Sequence, residues 1–201
     1  ATKLPLWAVN SVDDAKRIFE EQLQRLQTDY IDFYLLHAVN KEKWDAMKEL
    51  GVVEYCAKLK EEGKIRYYGF SFHDDYEVFD EILHYRDWDF CQIQYNYMDT
   101  QEQAGDKGYA LAESLGVPLV IMEPIKGGSL ANFSEDINDR FHKMDPDRSV
   151  ASYALRWVGS HPNVKVILSG MSTMDQVEDN LKTFQDFSPL SEAEEKEIES
   201  I

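Results

Sequence analysis

Several things are scarce in this 201-residue chain, and each scarcity excludes something. Only two cysteines occur, Cys56 and Cys91, without the close spacing of a zinc site. They read as reduced, buried thiols, one on a helix and one on a strand, which is the cysteine usage expected of a cytoplasmic protein. Basic residues are outnumbered, 21 Lys and Arg against 38 Asp and Glu, for a formal net charge of −17. That balance argues against nucleic acid and anionic membrane surfaces as partners, since both are polyanions. The longest apolar stretch, residues 117–122, is far shorter than the roughly 20 residues a bilayer span requires. No charged start followed by a long apolar region marks a secretory leader. Glycine-rich turns of the G-x-G-x-x-G kind are missing too, which weighs against an open, doubly wound dinucleotide fold.

What is present is alternation. Short runs of branched and aromatic residues are predicted as strands at 1–5, 30–37, 64–70, 90–95, 117–122 and 164–168. Between them, amphipathic segments are predicted as helices at 12–27, 51–62, 74–85, 105–115, 149–160 and 173–184. Ser11 is placed to cap the first helix, whose inner face carries Ile18, Leu23 and Leu26. Gly63 and Gly116 stop two helices, and Asp74 or Asp75 is placed to cap another. Near-continuous hydrophobicity in the strands points to burial on both faces, as in parallel sheets. Six strand-helix units without a linker or composition break describe one partial α/β domain over residues 1–201. The expected fold is an incomplete (β/α)8 barrel of the TIM type lacking two units, since a full one takes about 250 residues.

In such a barrel the chemistry gathers at the C-terminal strand ends. Lys3 and His37 end consecutive strands and so are expected at the same mouth, where a lysine beside a histidine can tune a proton donor for a carbonyl oxygen. Taken alone, Lys3 also reads as a solvated lysine and His37 as a hydrogen-bonded structural histidine. Gly127-Gly128 alone reads as a turn. His73, Asp74 and Asp75 do not have the pattern of a metal site. His84, His142 and His161 read as surface residues.

Five segments, in order along the whole chain, carry a resemblance: T-K-L-P at 2–5, D-Y-I-D-F-Y-L-L-H at 29–37, G-K-I-R-Y-Y-G-F-S at 63–71, C-Q-I-Q-Y-N at 91–96 and D-Q-V-E-D-N-L at 175–181. Together they resemble the aldo-keto reductases, in strands three to six and the final cofactor helix. The resemblance implies reduction of an aldehyde or ketone by NADH or NADPH, or the reverse alcohol oxidation. It also implies a catalytic set of tyrosine, lysine, histidine and aspartate. Lys3 matches the lysine and His37 the histidine. The family's aspartate and tyrosine precede the position of Ala1, so the chain as given carries half the set, and little turnover is expected of it. A small carbonyl substrate is implied, with its identity and the oligomeric state open.

For the cofactor, the resemblance implies that Ser71 and Gln92 hold the nicotinamide carboxamide. Phe72 stands where an asparagine often follows that serine, and Met122 where many relatives stack a tyrosine on the nicotinamide. The resemblance places Pro124, Ile125, Gly127 and Gly128 along the pyrophosphate. It places Ser169, Gly170, Gln176 and Asn180 about the adenosine. No lysine or arginine lies in S-G-M-S-T-M-D-Q at 169–176, so the choice between NAD and NADP stays open. The wording of L-Q-T-D-Y-I-D-F-Y-L-L-H and G-F-S-F-H is most similar to a bacterial branch carrying a C-terminal iron-sulfur module, a cluster for which residues 1–201 hold no cysteine set. The competing reading is a non-catalytic barrel fragment that binds cofactor or a partner without turnover.

Overall fold

The computed structural model describes all 201 residues, and six strands follow in the sheet order β1-β2-β3-β4-β5-β6. Each is followed by helix, as expected of the barrel-type α/β fold. The chain divides into two compact units, Ala1–Ile93 with Glu102–Leu119, and Gln94–Gln101 with Val120–Ile201.

The first unit begins with β1 (Thr2–Leu4) and a single 3-10 turn, Leu6–Ala8. Helix α1 (Val12–Leu26) starts where Ser11 accepts the Asp14 N–H, the cap expected from sequence, and ends at Gln27 in a left-handed conformation. Its inner face is Ala15, Ile18, Phe19 and Leu23. Leu26 is 55% exposed, against expectation, because the helix ends there and the apolar stripe has already been closed by Leu23. Strand β2 (Ile31–Val39) is followed by two helices, α2 (Lys41–Glu49) and α3 (Val52–Glu61). Helix α2 is an addition to the sequence reading. Only Trp44 and Met47 along it are buried, so its apolar period is too thin to register.

Strand β3 (Ile65–Phe72), α4 (Tyr76–Tyr85), β4 (Phe90–Gln94) and α5 (Gly105–Ser114) follow. Asp75 occupies the N-cap position of α4 without a side-chain cap bond, while Asp74 accepts the N–H groups of Lys41 and Asp75. The core between strands and helices is aromatic. Phe70 lies 4.8 Å from Trp88 and 6.0 Å from Phe79 between ring centres, and Trp44 and Tyr68 close around Trp88. Buried rings in such tilted and edge-on pairs contribute beyond their area alone. Cys56 and Cys91 are free and buried, as expected. Gly69 is fixed by close approach: a Cβ there would lie 2.4 Å from the Phe90 carbonyl oxygen on the next strand.

The second unit contains most of β5 (Leu119–Met122), a 3-10 stretch over Lys126–Ala131, α6 (Glu135–Met144), α7 (Val150–Gly159), β6 (Val164–Ile167), α8 (Met174–Gln185) and α9 (Glu192–Glu199). Leu168 N–H donates to Ile121 C=O, and Tyr95 N–H to Met122 C=O. Helices α6 and α9 also extend the sequence reading; each buries one residue, Phe141 and Ile198. Those two join Val150, Tyr153 and Leu190 in a small core. His161 is half-buried rather than a free surface residue. Its Nδ1 lies 2.8 Å from the Trp157 carbonyl, and its ring packs on Trp157 and Tyr95. Across the chain, no helix is long and apolar enough to cross a membrane.

Candidate active site

In the first unit, strand register builds the site. Parallel pairing sets Lys3 opposite Leu35, Leu35 opposite Gly69, and Gly69 opposite Phe90. One row above in β3 and β4, two residues on, Ser71 pairs with Gln92. Residues two apart on a strand share a face, so Lys3, Ser71 and Gln92 belong to one face of the sheet. Ser71 is 1% exposed and Gln92 6% exposed.

His37, two residues after Leu35, shares that face by the same alternation, and an irregularity follows directly. Leu36 pairs with Phe70 but Val39 pairs with Phe72, so β2 carries one extra residue and His37-Ala38 together oppose Ser71. Ala38 takes up the insertion with φ +54, a left-handed conformation that an alanine adopts only when its surroundings hold it. The holding contacts are visible. Ala38 N–H donates to Ser71 Oγ at 2.8 Å, Lys43 Nζ donates to Ala38 C=O at 3.0 Å, and His73 N–H donates to Val39 C=O at 2.9 Å. The bulge thus falls directly after His37, and these bonds fix the backbone that follows that side chain. Because Ser71 Oγ receives a bond from Ala38, its own O–H remains oriented by that acceptor role and can donate outward.

His37 titrates below the usual histidine range. Burial is the main cause, and the positive charges of Lys3 and Lys43 and the neighbouring His73 add to it. At neutral pH the imidazole is therefore neutral, one nitrogen donating and the other accepting. Trp7, on the 3-10 turn after β1, lies 4.9 Å from the His37 ring and is itself 64% exposed. Sequence reading gives no role to Trp7 or Lys43; a tryptophan four residues after Lys3 is the available signal.

In the second unit, a cleft of about 690 Å³ is lined by Met122, Pro124, Ile125, Gly127, Gly128, Ser169, Gly170, Gln176 and Asn180, which are all the predicted cofactor residues from that unit. Ser169 and Asn180 are joined, Asn180 Nδ2 donating to Ser169 Oγ at 2.9 Å. Gln176 has a structural task as well. It closes the capping box of α8, its Oε1 accepting the N–H groups of Ser172 at 2.6 Å and Thr173 at 3.2 Å. The loop from Glu123 is wound left-handed, with φ +55 at Glu123, +46 at Lys126, +61 at Gly127 and +96 at Gly128. A Cβ on Gly128 or Gly170 would meet nothing within 4 Å, so both backbones are open to a ligand.

A clamp absent from the sequence reading holds this loop. Asp99, 5% exposed, accepts from Asn96 Nδ2 and Gln94 Nε2, both at 3.1 Å, and from Lys126 Nζ. Asn96 also donates to Glu123 C=O at 3.0 Å. Burial pushes the Asp99 carboxyl upward, but the bonds from Lys126 and Asn96 outweigh it and hold the group below the ordinary range. The cleft fits one arm of a dinucleotide: open glycine backbone, an Asn-Ser polar pair and apolar walls from Met122, Pro124 and Ile125.

Comparison with known proteins is decisive on the family, since the model of the aldo/keto reductase family matches residues 1–201. The chain belongs to the aldo/keto reductase family. The aldo-keto reductase AKR11C1 from Bacillus halodurans, solved in a holo form, superposes with a TM-score of 0.80 at 29% identity, covering 99% of this chain and 70% of that one. An uncharacterised oxidoreductase of Bacillus subtilis, YqkF, is 27% identical over 206 residues, covering 92% of this chain. A glyoxal reductase of the same organism is 30% identical over 153 residues, covering 74% of this chain. The chain spans 64% of the length of YqkF and 50% of that of the glyoxal reductase.

Proposed function

We propose that the protein reduces an aldehyde or ketone with NADH or NADPH. The observation that carries this reading is the single face that bears Lys3, a neutral His37, Ser71 and Gln92, with the strained backbone of Ala38 bonded to Ser71 beside them. Stored strain of this kind recurs at functional sites. In the first unit, the Ser71 hydroxyl and the Gln92 amide would hold the nicotinamide carboxamide. The second unit's cleft, taken by itself, would hold a pyrophosphate along Gly127 and Gly128 and an adenosine at Ser169, Gly170 and Asn180. Gln176 would shape that end through its cap on α8. When bound, the nicotinamide supplies the hydride.

The remaining work falls to the protein's own residues. His37, neutral, would donate a hydrogen bond to the carbonyl oxygen and fix its orientation. Lys3 would stabilise negative charge as it develops on that oxygen and on a tyrosine acid. In this reading the tyrosine, supported by an aspartate, would protonate the carbonyl oxygen. Trp7, exposed beside His37, would form an apolar wall against the substrate. The glyoxal reductase likeness favours a small carbonyl compound.

The test is His37→Ala in the protein as the cell makes it. We expect kcat for an aldehyde to fall about 100-fold or more, the scale of a lost acid-base or orienting group, with cofactor Kd within about twofold. An unchanged kcat rejects the role of His37.

A further inference from the structure

The cleft in the second unit contains an anion of its own. Glu123 Oε2 accepts the Gly127 N–H at 2.6 Å, a short, charge-assisted bond. Successive amides in a turn can present a concavity that binds anions; in this turn the Lys126 and Gly128 N–H groups are taken by the Glu123 and Ile125 carbonyls, which leaves the Gly127 N–H. The amide best placed to receive a phosphate oxygen is therefore already engaged by a carboxylate.

That carboxylate is separable from the frame of the loop. The frame uses the Glu123 carbonyl, which accepts from Lys126 N–H at 3.1 Å and from Asn96 Nδ2 at 3.0 Å, together with the Lys126–Asp99 pair. No lysine or arginine lines the cleft to offset Glu123, and Lys126 is turned to Asp99. Glu123 itself is exposed and free to rotate away.

We propose that Glu123 is a stand-in anion, which occupies the Gly127 amide in the free protein and must leave it before a pyrophosphate can bind. The proposal rests on the reading of this cleft as a dinucleotide site. It makes Glu123 a residue that weakens and selects phosphate ligands. Its carboxylate competes for the amide and repels the incoming charge, while a ligand with more donors elsewhere can still displace it.

The experiment is calorimetric titration of the wild-type chain, Glu123→Gln and Glu123→Ala with inorganic pyrophosphate and, separately, NADH. Glutamine keeps the acceptor for Gly127 and removes only the charge. We expect it to tighten both ligands about five- to tenfold, the scale of one exposed like-charge contact at close range. Alanine should tighten pyrophosphate at least as much, and amide exchange at Gly127 should quicken in its free form. Folded variants that bind pyrophosphate no tighter than wild type overturn the proposal, as does an absence of pyrophosphate binding in all three. Tightened pyrophosphate binding without any NADH binding would keep the role of Glu123 and remove the nicotinamide reading.

Discussion

Ser71 and Glu123 each accept a backbone N–H with an oxygen, and the two contacts are built in different ways. In the first unit, Ser71 Oγ receives Ala38 N–H at 2.8 Å because two parallel strands are held in register with one residue to spare. The contact is part-buried and set by pairings distributed over β1 to β4. In the second unit, Glu123 Oε2 receives Gly127 N–H at 2.6 Å on an exposed loop, and what fixes the loop is a handful of side chains: Asn96, Asp99 and Lys126. The lesson is about where precision is stored. A strand-built site depends on many weak pairings and an aromatic core, whereas a loop-built site depends on a few buried polar groups whose loss is not shared out.

The largest effect should come from the charged part of the second unit. Arg156, 3% exposed, makes a two-point ion pair with Glu194 at 2.6 and 3.1 Å and donates to the Ser188 and Pro189 carbonyls. Burial raises the Glu194 carboxyl, yet the bonds from Arg156 and Ser191 hold it down at about 2. Because that folded value is depressed, the contribution is complete above the unfolded value near 4.3 and is lost as pH falls toward 2. Arg156→Ala strips a buried partner and should cost about 3–5 kcal/mol. Hydrogen exchange should show amides of α7 and α9 losing protection before those of β2 and β3. Uniform loss across both units, or a cost below about 1 kcal/mol, would erase the proposed contrast.

Next is the loop clamp. Asp99→Asn removes a buried charge that answers Lys126, at a cost of about 1.5–3 kcal/mol for hydrogen bonds to a charged group. Asp99 titrates low, so its support is present above about pH 4 and fades below it. The asparagine variant should lack that acid-side loss. It should also speed amide exchange at Gly127 and Gly128 while leaving Ala38 unchanged. Equal protection of the glycine amides in both proteins would show that the clamp does not hold the loop.

The same contrast explains what sequence made legible. Strand ends are readable, since apolar runs stop at polar residues, and so Lys3, His37, Ser71 and Gln92 stand out in the sequence. Caps such as Ser11 and Ser149 are also within reach of local rules, although of these two only Ser11 is named from sequence. Helices α2, α6 and α9 escaped, because Trp44 with Met47, Phe141 and Ile198 are too few buried residues to give a periodic signal. The bulge at Ala38 and the Glu123–Gly127 bond escaped for another reason. Both depend on left-handed backbone at residues other than glycine, which tertiary contacts impose and composition does not announce.

The smallest effect concerns charge in the strand-built site. Burial and then Lys3 lower the proton affinity of His37, so its neutral form persists to more acidic pH than in an unfolded chain. A histidine with a depressed folded value makes the native state less stable as pH falls below the unfolded value of about 6.5, and costs nothing above it. Lys3→Met should move the His37 midpoint, followed by the imidazole resonances in an NMR titration, upward but short of the ordinary value, because burial remains the larger cause. Ser71→Ala should leave that midpoint nearly in place while freeing Ala38 N–H to exchange. A midpoint unmoved by Lys3→Met would mean that the two residues do not feel one another across the strand pair, and the electrostatic half of the site would have to be rebuilt around Lys43.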